Sequence, residues 1–239
     1  MTPDKSAQPI PIYRQIAELL VRQIKAGYWH SGERLPTEAA LAQSLKVAVG
    51  TLRKSLALLE AQGVLERIQG SGTYVRTVQG TKHIYEFFRL ELLNGPGLPS
   101  ADILELRLQK PQRGMPDLGP EAGAACWRVR RLRHLSGQPV ALEEIWFSAH
   151  ECPALEVQHL GDSMYLFYQQ RLNVWIARVE DHISAAPAPS WAKPPCRLSG
   201  GDSAGYIERT SWDSSNQVAE FSRTWFDPNV CRYASRISQ

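Results

Sequence analysis

The sequence predicts an α+β protein with a small winged helix-turn-helix at its N-terminus and a larger, strand-containing region behind it. Two short segments with helical spacing of apolar residues, within residues 37–63, are followed at once by two strand-like runs around residues 70–72. The alternation of apolar residues across residues 127–147 predicts a long hairpin in the larger region. A chain of 239 residues has room for one or two domains.

The first two predicted helices are short and closely joined. Thr37 is a preferred N-cap residue, because its hydroxyl can accept from an amide of the first helical turn. Gly63 can adopt the left-handed conformation that ends a helix. Apolar residues at helical spacing are Leu41 and Leu45 on the first helix, and Leu52, Leu56 and Leu59 on the second. This arrangement is typical of a helix-turn-helix.

A predicted hairpin follows. The runs Leu65-Glu-Arg-Ile-Gln and Thr73-Tyr-Val-Arg resemble strands, and the Gly70-Ser-Gly72 segment between them supplies a flexible turn. A hairpin in this place is the wing of a winged helix-turn-helix.

These landmarks together resemble a known family. Leu35-Pro-Thr-Glu, Thr51-Leu-Arg-Lys, residues 59–63 and Gln69-Gly-Ser-Gly-Thr-Tyr-Val resemble the winged helix-turn-helix of the GntR family of bacterial regulators, from residue 12 to residue 75. The resemblance implies double-stranded DNA as a partner. The residues expected to bind it are Thr37, Gly50, Thr51, Arg53, Lys54, Gln69, Gly70, Ser71, Gly72 and Thr73. The chain departs from the family's pattern at Ala39, where relatives carry a basic residue, and at Ala48, Val49 and Gly50, where they carry polar ones.

Helical periodicity indicates the DNA-facing side independently. With the leucines of the second helix turned inward, Gly50 and Lys54 lie nearest the opposite face, flanked by Thr51 and Arg53. A small Gly50 allows close approach to the major groove, and Arg53 or Lys54 can reach phosphate or guanine. One alternative is that both cations are merely solvated. Another is that Gly70-Ser-Gly-Thr forms a nucleotide phosphate loop, although it lacks the Gly-Lys-Ser/Thr ending and an adjoining helix start.

Local patterns predict the other segments of the N-terminal half. A first helix opens at Pro11 and ends at Gly27, with the apolar stripe Ile12, Ile16, Leu19, Leu20 and Ile24. Residues 77–82 are predicted to be a linker, residues 83–93 a helix, and residues 103–108 a strand.

Composition and charge restrict the class of protein. Residues 1–80 hold ten Lys/Arg against six Asp/Glu, whereas residues 81–239 hold 17 against 18, so a mildly basic head precedes a near-neutral body. The chain has no run of 18 apolar residues and no signal-peptide core, so we expect a cytoplasmic protein without a membrane partner. The four cysteines and six histidines form no ligand motif, so we expect reduced cysteines and neither metal nor cofactor.

Charges interrupt the apolar face of the hairpin predicted at residues 127–147. The apolar odd-numbered positions are Trp127, Val129, Leu135, Ala141, Ile145 and Phe147. Arg131, Arg133 and Glu143 fall among them, and burying a charge costs several kcal/mol unless it is paired or bound. Either a structural ion-pair network or a site for an anionic or polar ligand would account for them.

The hairpin's register decides whether these three charges meet. They share a face only if the numbers of opposed residues sum to an even value, which for a plain hairpin requires an odd number of loop residues. A four-residue loop at residues 136–139 would instead send Glu143 to the face opposite the two arginines. The apolar pattern favours the even sum.

A second resemblance covers roughly residues 85–237. Arg131-Leu-Arg133, the run from Gly137 to Glu143, Ser163-Met-Tyr165 and Val218-Ala-Glu220-Phe-Ser-Arg are similar to the UTRA effector-binding domain of the HutC subfamily. The resemblance implies a chorismate-lyase-like fold, in which helices pack on a central antiparallel sheet, a homodimer, and a small-molecule effector. In the family, the positions that line the pocket correspond to Arg131, Arg133, Glu143, Ser163, Tyr165 and Glu220.

Some positions in this region fit the pattern less closely. Ser163 and Tyr165 equally fit an ordinary capped helix start. The chain departs from the pattern within residues 190–201, where Pro194-Pro195 stands in place of a short helix. Phe226 stands where relatives carry a tyrosine.

We therefore expect a DNA-binding domain at residues 1–76, a linker at 77–84, and an effector-binding and dimerisation domain at 85–237. Such a protein would be a ligand-responsive transcriptional regulator, most often a repressor, released from an inverted-repeat operator by a small anionic or polar metabolite. One alternative is a constitutive DNA-binding protein without an effector. Another is an enzyme of chorismate-lyase-like fold, although no Ser-His-Asp set, carboxylate dyad or metal cluster is placed by motif.

Overall fold

The computed structural model describes residues 11–25, 28–29, 32–76, 88–95, 97–119, 123–161, 163–192 and 194–235. The chain divides into two units, one built mainly from residues 10–99 and the other mainly from residues 100–232. The predicted linker at 77–82, the first part of the predicted helix at 83–93, and Gly27 lie outside the described residues.

The first unit contains three helices and a two-stranded hairpin. They are α1 (Ile12–Lys25), α2 (Glu38–Leu45), α3 (Val49–Ala61), β1 (Leu65–Ile68) and β2 (Gly72–Val75), with a further strand, β3 (Leu90–Leu92). The predicted helix-turn-helix and wing are confirmed. The Thr37 hydroxyl accepts from the Ala40 amide at 3.3 Å, and Gly63, at φ +71°, follows α3.

The core of the first unit forms where the spacing of its leucines predicts. All five leucines of α2 and α3 that the periodicity singles out are buried, together with Ile16, Leu19 and Leu20 of α1. Two predictions are wrong in part. Ile12 is 54% exposed, so the buried stripe of α1 begins one turn later, at Ile16. Residues 90–92 form β3 rather than the end of a helix, because tertiary context overrides local propensity in so short a segment.

The second unit is organised around a six-stranded sheet of order β4-β5-β6-β9-β8-β7. The strands are β4 (Pro99–Gln109), β5 (Cys126–Leu135), β6 (Gln138–Ser148), β7 (Ile176–Pro187), β8 (Ser203–Asp213) and β9 (Val218–Phe226), followed by a short β10 (Cys231–Tyr233). The pairs β5–β6, β6–β9, β8–β9 and β7–β8 are antiparallel. The strand predicted at residues 103–108 is confirmed within β4.

Helical turns lie between β6 and β7. A 3-10 turn (Val157–His159) precedes α4 (Met164–Phe167), which continues into one π-helical turn (Tyr168–Leu172). Phe147 of β6 makes edge-to-face contacts with Phe167 and Tyr168, at ring-centroid distances of 5.7 and 5.4 Å. These contacts fix α4 over the face of the sheet that carries the odd-numbered residues of β5 and β6.

The β5–β6 hairpin has the predicted parity but reaches it by another route. Leu135 pairs with Gln138 across a two-residue turn, in which Ser136 and Gly137 have φ values of 49° and 78°, as a type I′ turn requires. The register then shifts by one residue beside Arg133, and the extra residue, Val140, forms a bulge. From there on, opposed residues sum to an even number. The shared face is therefore confirmed, whereas the odd-numbered loop is wrong.

The two remaining structural expectations concern cysteines and membranes. The four cysteines are free, as predicted. Among the described residues, no helix is long and apolar enough to cross a membrane.

Candidate functional site

Charged residues from five neighbouring strands meet on one face of the six-stranded sheet. We call this set the charged cluster: Arg131 and Arg133 of β5, Glu143 of β6, Asp181 of β7, Arg209 of β8 and Glu220 of β9. The strand registers bring them together, because Arg131 is opposite Glu143 and Asp181 is opposite Arg209. Arg131, Arg133 and Glu220 are each only 3% exposed.

Glu143 is the carboxylate that the two β5 arginines share. Arg131 donates from Nε at 2.9 Å and from Nη2 at 2.5 Å, both to Glu143 Oε2. Arg133 Nη1 lies 3.9 Å from the same oxygen. Burial raises the pKa of Glu143, but the charges of Arg131 and Arg133 outweigh it, so the pKa lies below the usual 4.5. Glu143 is therefore ionised at neutral pH.

Glu220 has a different environment. The Tyr168 hydroxyl donates to Glu220 Oε2 at 2.7 Å, and the Ser211 hydroxyl donates to Oε1 at 3.3 Å. Burial raises the pKa of Glu220 above 4.5, and the nearby charge of Glu143 raises it further. The charged cluster thus contains two carboxylates with oppositely shifted pKa values.

Arg209 is held in a fixed orientation by its neighbours. Its Nε and Nη2 each donate to one oxygen of Asp181 at 2.6 Å, which is the bidentate geometry of an arginine–carboxylate pair. Its Nη1 donates to the Tyr165 hydroxyl at 3.4 Å, and that hydroxyl lies 3.2 Å from Ser211 Oγ. Burial raises the pKa of Tyr165 to about 12, so its hydroxyl remains protonated at neutral pH.

The structure brings together five of the six residues predicted as the effector site: Arg131, Arg133, Glu143, Tyr165 and Glu220. The sixth, Ser163, is the N-cap of α4 and accepts from the Leu166 amide at 3.3 Å, so it supports the turn that carries Tyr165. Sequence reasoning missed Tyr168, Asp181, Arg209 and Ser211. Alternation along β8 places Arg209 on a face with Ile207, but only the strand pairing shows which face that is.

The row of residues next to Arg133 is apolar. Arg133 is opposite Ala141, which is opposite Phe226, which is opposite Gly205. The Phe226 ring lies so close to Gly205 that a Cβ there would fall 2.2 Å from a ring carbon. Phe226 therefore covers the backbone of β8 at this edge of the charged cluster, at the position where relatives carry a tyrosine.

The first unit presents the predicted DNA-binding residues on and around α3. Gly50, Arg53 and Lys54 are exposed and Thr51 is half-buried, as a face turned away from the leucine core should be. At Gly50, no atom lies within 4 Å of the position of a Cβ, so the start of α3 is open to a partner.

Arg53 also makes an ion pair. Arg53 Nε donates to Glu38 Oε2 at 2.6 Å, and Arg67 of the wing donates to Glu38 Oε1 at 3.1 Å. Glu38 thus connects α2, α3 and the wing and places two cations side by side. Sequence reasoning missed Arg67, because the three residues are far apart in the chain.

The wing turn combines exposed and ordered residues. Gln69 and Gly70 are exposed, Thr73 is half-buried, and the Ser71 and Tyr74 hydroxyls lie 2.6 Å apart. Gly72, at φ +140°, has Arg34 packed so closely that a Cβ would fall 2.6 Å from its Nε. The turn leads into β2 rather than a helix, so it lacks the helix N-terminus that a nucleotide phosphate loop uses.

The described residues contain no group of three or more His, Cys, Asp or Glu side chains placed to hold a metal ion.

Two family models match the chain. Residues 12–75 match the model described as bacterial regulatory proteins, gntR family, and residues 97–232 match the UTRA domain. Among curated proteins, the chain is 45% identical over 229 residues to the HTH-type transcriptional regulator SmoD of Agrobacterium fabrum, covering 95% of this chain and 97% of the relative. It is 33% identical over 186 residues to the mannosyl-D-glycerate transport/metabolism system repressor MngR of Escherichia coli, covering 72% and 73%.

Solved structures with this fold span the whole chain. The transcriptional regulator YydK from Bacillus subtilis superposes with a TM-score of 0.52 at 21% identity, covering 95% of this chain and 98% of that one. PhnF from Mycobacterium smegmatis gives 0.51 at 18% identity, covering 93% and 99%. These likenesses support the α+β fold, with its chorismate-lyase-like sheet domain. The family matches go further, and the chain belongs to the GntR family of bacterial transcriptional regulators and carries a UTRA domain.

Proposed function

We propose that the protein is a ligand-responsive repressor of the HutC subfamily, which leaves its operator when a small anionic or polar metabolite binds the charged cluster. The observation that carries this proposal is the burial of three arginines beside three carboxylates on one face of the sheet. A relative named as a repressor, MngR, supports repression rather than activation.

The geometry of the charged cluster favours a ligand with two chemically different ends. Arg131 and Arg133 converge on one oxygen of Glu143, so two guanidinium groups lie beside a single carboxylate and can attract an acidic group. On the other side, Glu220 and the hydroxyls of Tyr165 and Ser211 can hydrogen-bond hydroxyl or amino groups. Phosphorylated sugars and carboxylate metabolites have both features.

A purely structural ion-pair network fits this arrangement less well. A buried ion pair offsets the cost of desolvation only when its geometry is close and complete. The Arg209–Asp181 pair meets that condition, with two bonds of 2.6 Å. The Arg133–Glu143 pair does not, because its nearest atoms are 3.9 Å apart while Arg133 is 3% exposed.

For the DNA-binding half, we propose that α3 enters the major groove and that residues 69–73 of the wing reach the adjacent minor groove. Gly50, Thr51, Arg53 and Lys54 would contact the operator directly, while Thr37 caps the helix that supports them. A symmetric homodimer would present two such helices to an inverted repeat. The DNA-binding part would end near residue 76 and the effector-binding part begin near residue 85. Operator binding would place the protein in the cytoplasm with the bacterial chromosome.

The enzyme alternative has less support. A general acid or base works best when its pKa lies near the operating pH. Tyr165, with a pKa of about 12, and Glu143, with a pKa below 4.5, are both poorly suited to proton transfer at neutral pH.

The proposal is tested by two measurements on the full chain. Anisotropy of a labelled fragment of the protein's own promoter should report binding, and a fractionated metabolite extract should reverse it without consumption of any metabolite. The active fraction should also raise the melting temperature, because a ligand selective for the folded state stabilises it. Operator binding that no fraction reverses would favour a constitutive DNA-binding protein, and consumption of a metabolite would favour an enzyme.

A further inference from the structure

One edge of the six-stranded sheet is a long strand with exposed leucines. β4 has 11 residues and lies at the end of the strand order, next to β5. Leu104 and Leu108 are 40% and 50% exposed. In the part of the chain that the structure describes, no strand pairs with the outer edge of β4. A long edge with apolar side chains is a template for a further strand unless something covers it.

The sequence of β4 is complementary to itself in one antiparallel register. If a two-fold axis passes through Leu106, the numbers of opposed residues sum to 212, and Leu106 faces its own counterpart. Leu104 then faces Leu108 of a second copy. Glu105 faces Arg107, and Asp102 faces Lys110 just beyond the strand. These pairs oppose either two apolar side chains or two opposite charges, which is the pairing that stabilises a sheet.

The nearest alternative registers are unfavourable. Shifting the axis by one residue toward the N-terminus places Glu105 opposite Glu105, and shifting it by one toward the C-terminus places Arg107 opposite Arg107. Like charges directly opposite each other destabilise a strand pair. The charges therefore select the register centred on Leu106 over its neighbours.

The charged residues of β4 are already arranged for such a pair. Arg107 Nε lies 2.6 Å from Glu105 Oε1, so the two charges are on the same side of the strand. A two-fold axis through Leu106 would combine this pair with its copy into an alternating group of four charges. Arg107 is 65% exposed, so it is accessible to a partner.

The opposite edge strand, β7, is less suited to this role. Its Asp181 is bound by Arg209 within the charged cluster. Its Arg178 stacks at 3.5 Å from the centre of the Trp212 ring. The charged residues of β7 are thus committed within the chain.

We propose that the protein dimerises by antiparallel pairing of β4 with β4 of a second copy, about a two-fold axis at Leu106, so that two six-stranded sheets become one continuous sheet. This surface gives the proposed homodimeric regulator its dimer contact and rests on that proposal for its biological role. The partner is a second copy of this chain, recognised through backbone hydrogen bonds, facing leucines and alternating charges.

Disulfide cross-linking tests the register directly. In a Cys152→Ser background, Leu106→Cys should form a covalent dimer under mild oxidation, because directly opposed Cα atoms lie about 4.5–5.5 Å apart, within the span of a disulfide. Leu104→Cys alone should not cross-link, because its counterpart would be roughly 13 Å away along the strand. Leu104→Cys co-expressed with Leu108→Cys should cross-link. Ile183→Cys, at an exposed position of β7, is the matched control and should remain uncross-linked.

A charge test gives a second, independent result. Leu106→Lys and Leu106→Asp should each be monomeric by size-exclusion chromatography with light scattering, because like charges would face each other on the axis. Co-expressed, the two variants should recover a heterodimer, which also shows that both fold. Dimeric single variants, or a self-cross-linking Leu104→Cys, would overturn the assignment of β4.

The outcomes also separate this inference from the proposed function. A wild-type dimer that fails to cross-link through Leu106→Cys overturns the β4 interface, whereas effector-dependent operator release would still support the regulator. Cross-linking at Leu106→Cys in a protein that binds no operator would support the interface and contradict the regulator.

Discussion

Arg131 and Glu143 lie directly opposite each other on β5 and β6, and the Arg131 Nε donates a 2.9 Å hydrogen bond to the Glu143 carboxylate. The pairing depends on the bulge at Val140, because a continuous register from the two-residue turn would place these side chains on opposite faces. One extra residue in β6 thus determines that a guanidinium and a carboxylate share a buried face. The properties of the charged cluster follow from that register.

The close packing of Phe226 on Gly205 predicts a coupled effect on stability. Gly205→Ala should lower the free energy of unfolding by about 1–3 kcal/mol, because the new methyl group would overlap the ring. Phe226→Leu alone should also destabilise the protein, by loss of buried ring contacts. In the double variant the smaller leucine leaves room for the methyl group, so the two effects should be less than additive in urea unfolding. Strict additivity would contradict the packing described.

The opposite pKa shifts of Glu143 and Glu220 predict opposite pH dependences. The pKa of Glu143 is lowered in the folded state, so its stabilising effect is present above pH 4.5 and is lost as the pH falls through the folded value. Glu143→Gln should therefore be less stable than the wild type at neutral pH, and the difference should shrink in acid.

Glu220 should behave in the reverse sense. Its folded pKa is raised, so the wild type loses stability as the pH rises above 4.5 through the folded value. Relative to the wild type, Glu220→Gln should gain stability as the pH rises. Urea unfolding of both variants and the wild type at several values between roughly pH 4 and pH 8 gives the comparison. Parallel curves for the two variants would show that the carboxylates are not differently protonated.

Arg53 is the most informative residue for operator binding. Arg53→Ala should weaken binding and reduce the salt dependence, because each lost phosphate contact removes about 0.9 from the slope of log K against log salt. If Arg53 contacts guanine instead, the variant should lose sequence preference by ~1–3 kcal/mol. Arg14→Ala, which removes an exposed arginine from α1, is the matched control. An Arg53→Ala variant with unchanged affinity, salt slope and preference would exclude both roles.

Symmetry makes a prediction about the operator. A two-fold dimer presents two α3 helices, so footprinting should protect an inverted repeat whose half-sites are one helical turn apart or less. The wing should extend the protection into the adjacent minor grooves. A single protected half-site bound by one monomer would contradict the dimeric model.

The sequence predicts the first unit more completely than the second because its signals are local. Thr37, Gly63 and the spaced leucines of α2 and α3 act within one or two helical turns, so their pattern is visible without knowledge of the fold. In contrast, Arg209 binds Asp181 from 28 positions away, and only the pairing of β7 with β8 brings them together. No local pattern carries that information.

The β5–β6 hairpin lies between these cases. Alternation of apolar residues correctly predicts that Arg131 and Glu143 share a face, because burial of one face restricts the register. It does not predict the bulge, since Gln138-Pro-Val-Ala has no residue that requires one. The parity is therefore predictable from the sequence, but the turn that produces it is not.

The most direct test of the central claim uses Arg133, which is 3% exposed and 3.9 Å from Glu143. Arg133→Ala should bind the operator within a few-fold of the wild type, because Arg133 lies in the effector-binding sheet rather than in the DNA-binding unit. It should require at least tenfold more of the active metabolite fraction to release the DNA, whereas the exposed control Arg113→Ala should respond normally. Release of Arg133→Ala from operator DNA at the wild-type metabolite concentration would contradict an effector site at the charged cluster.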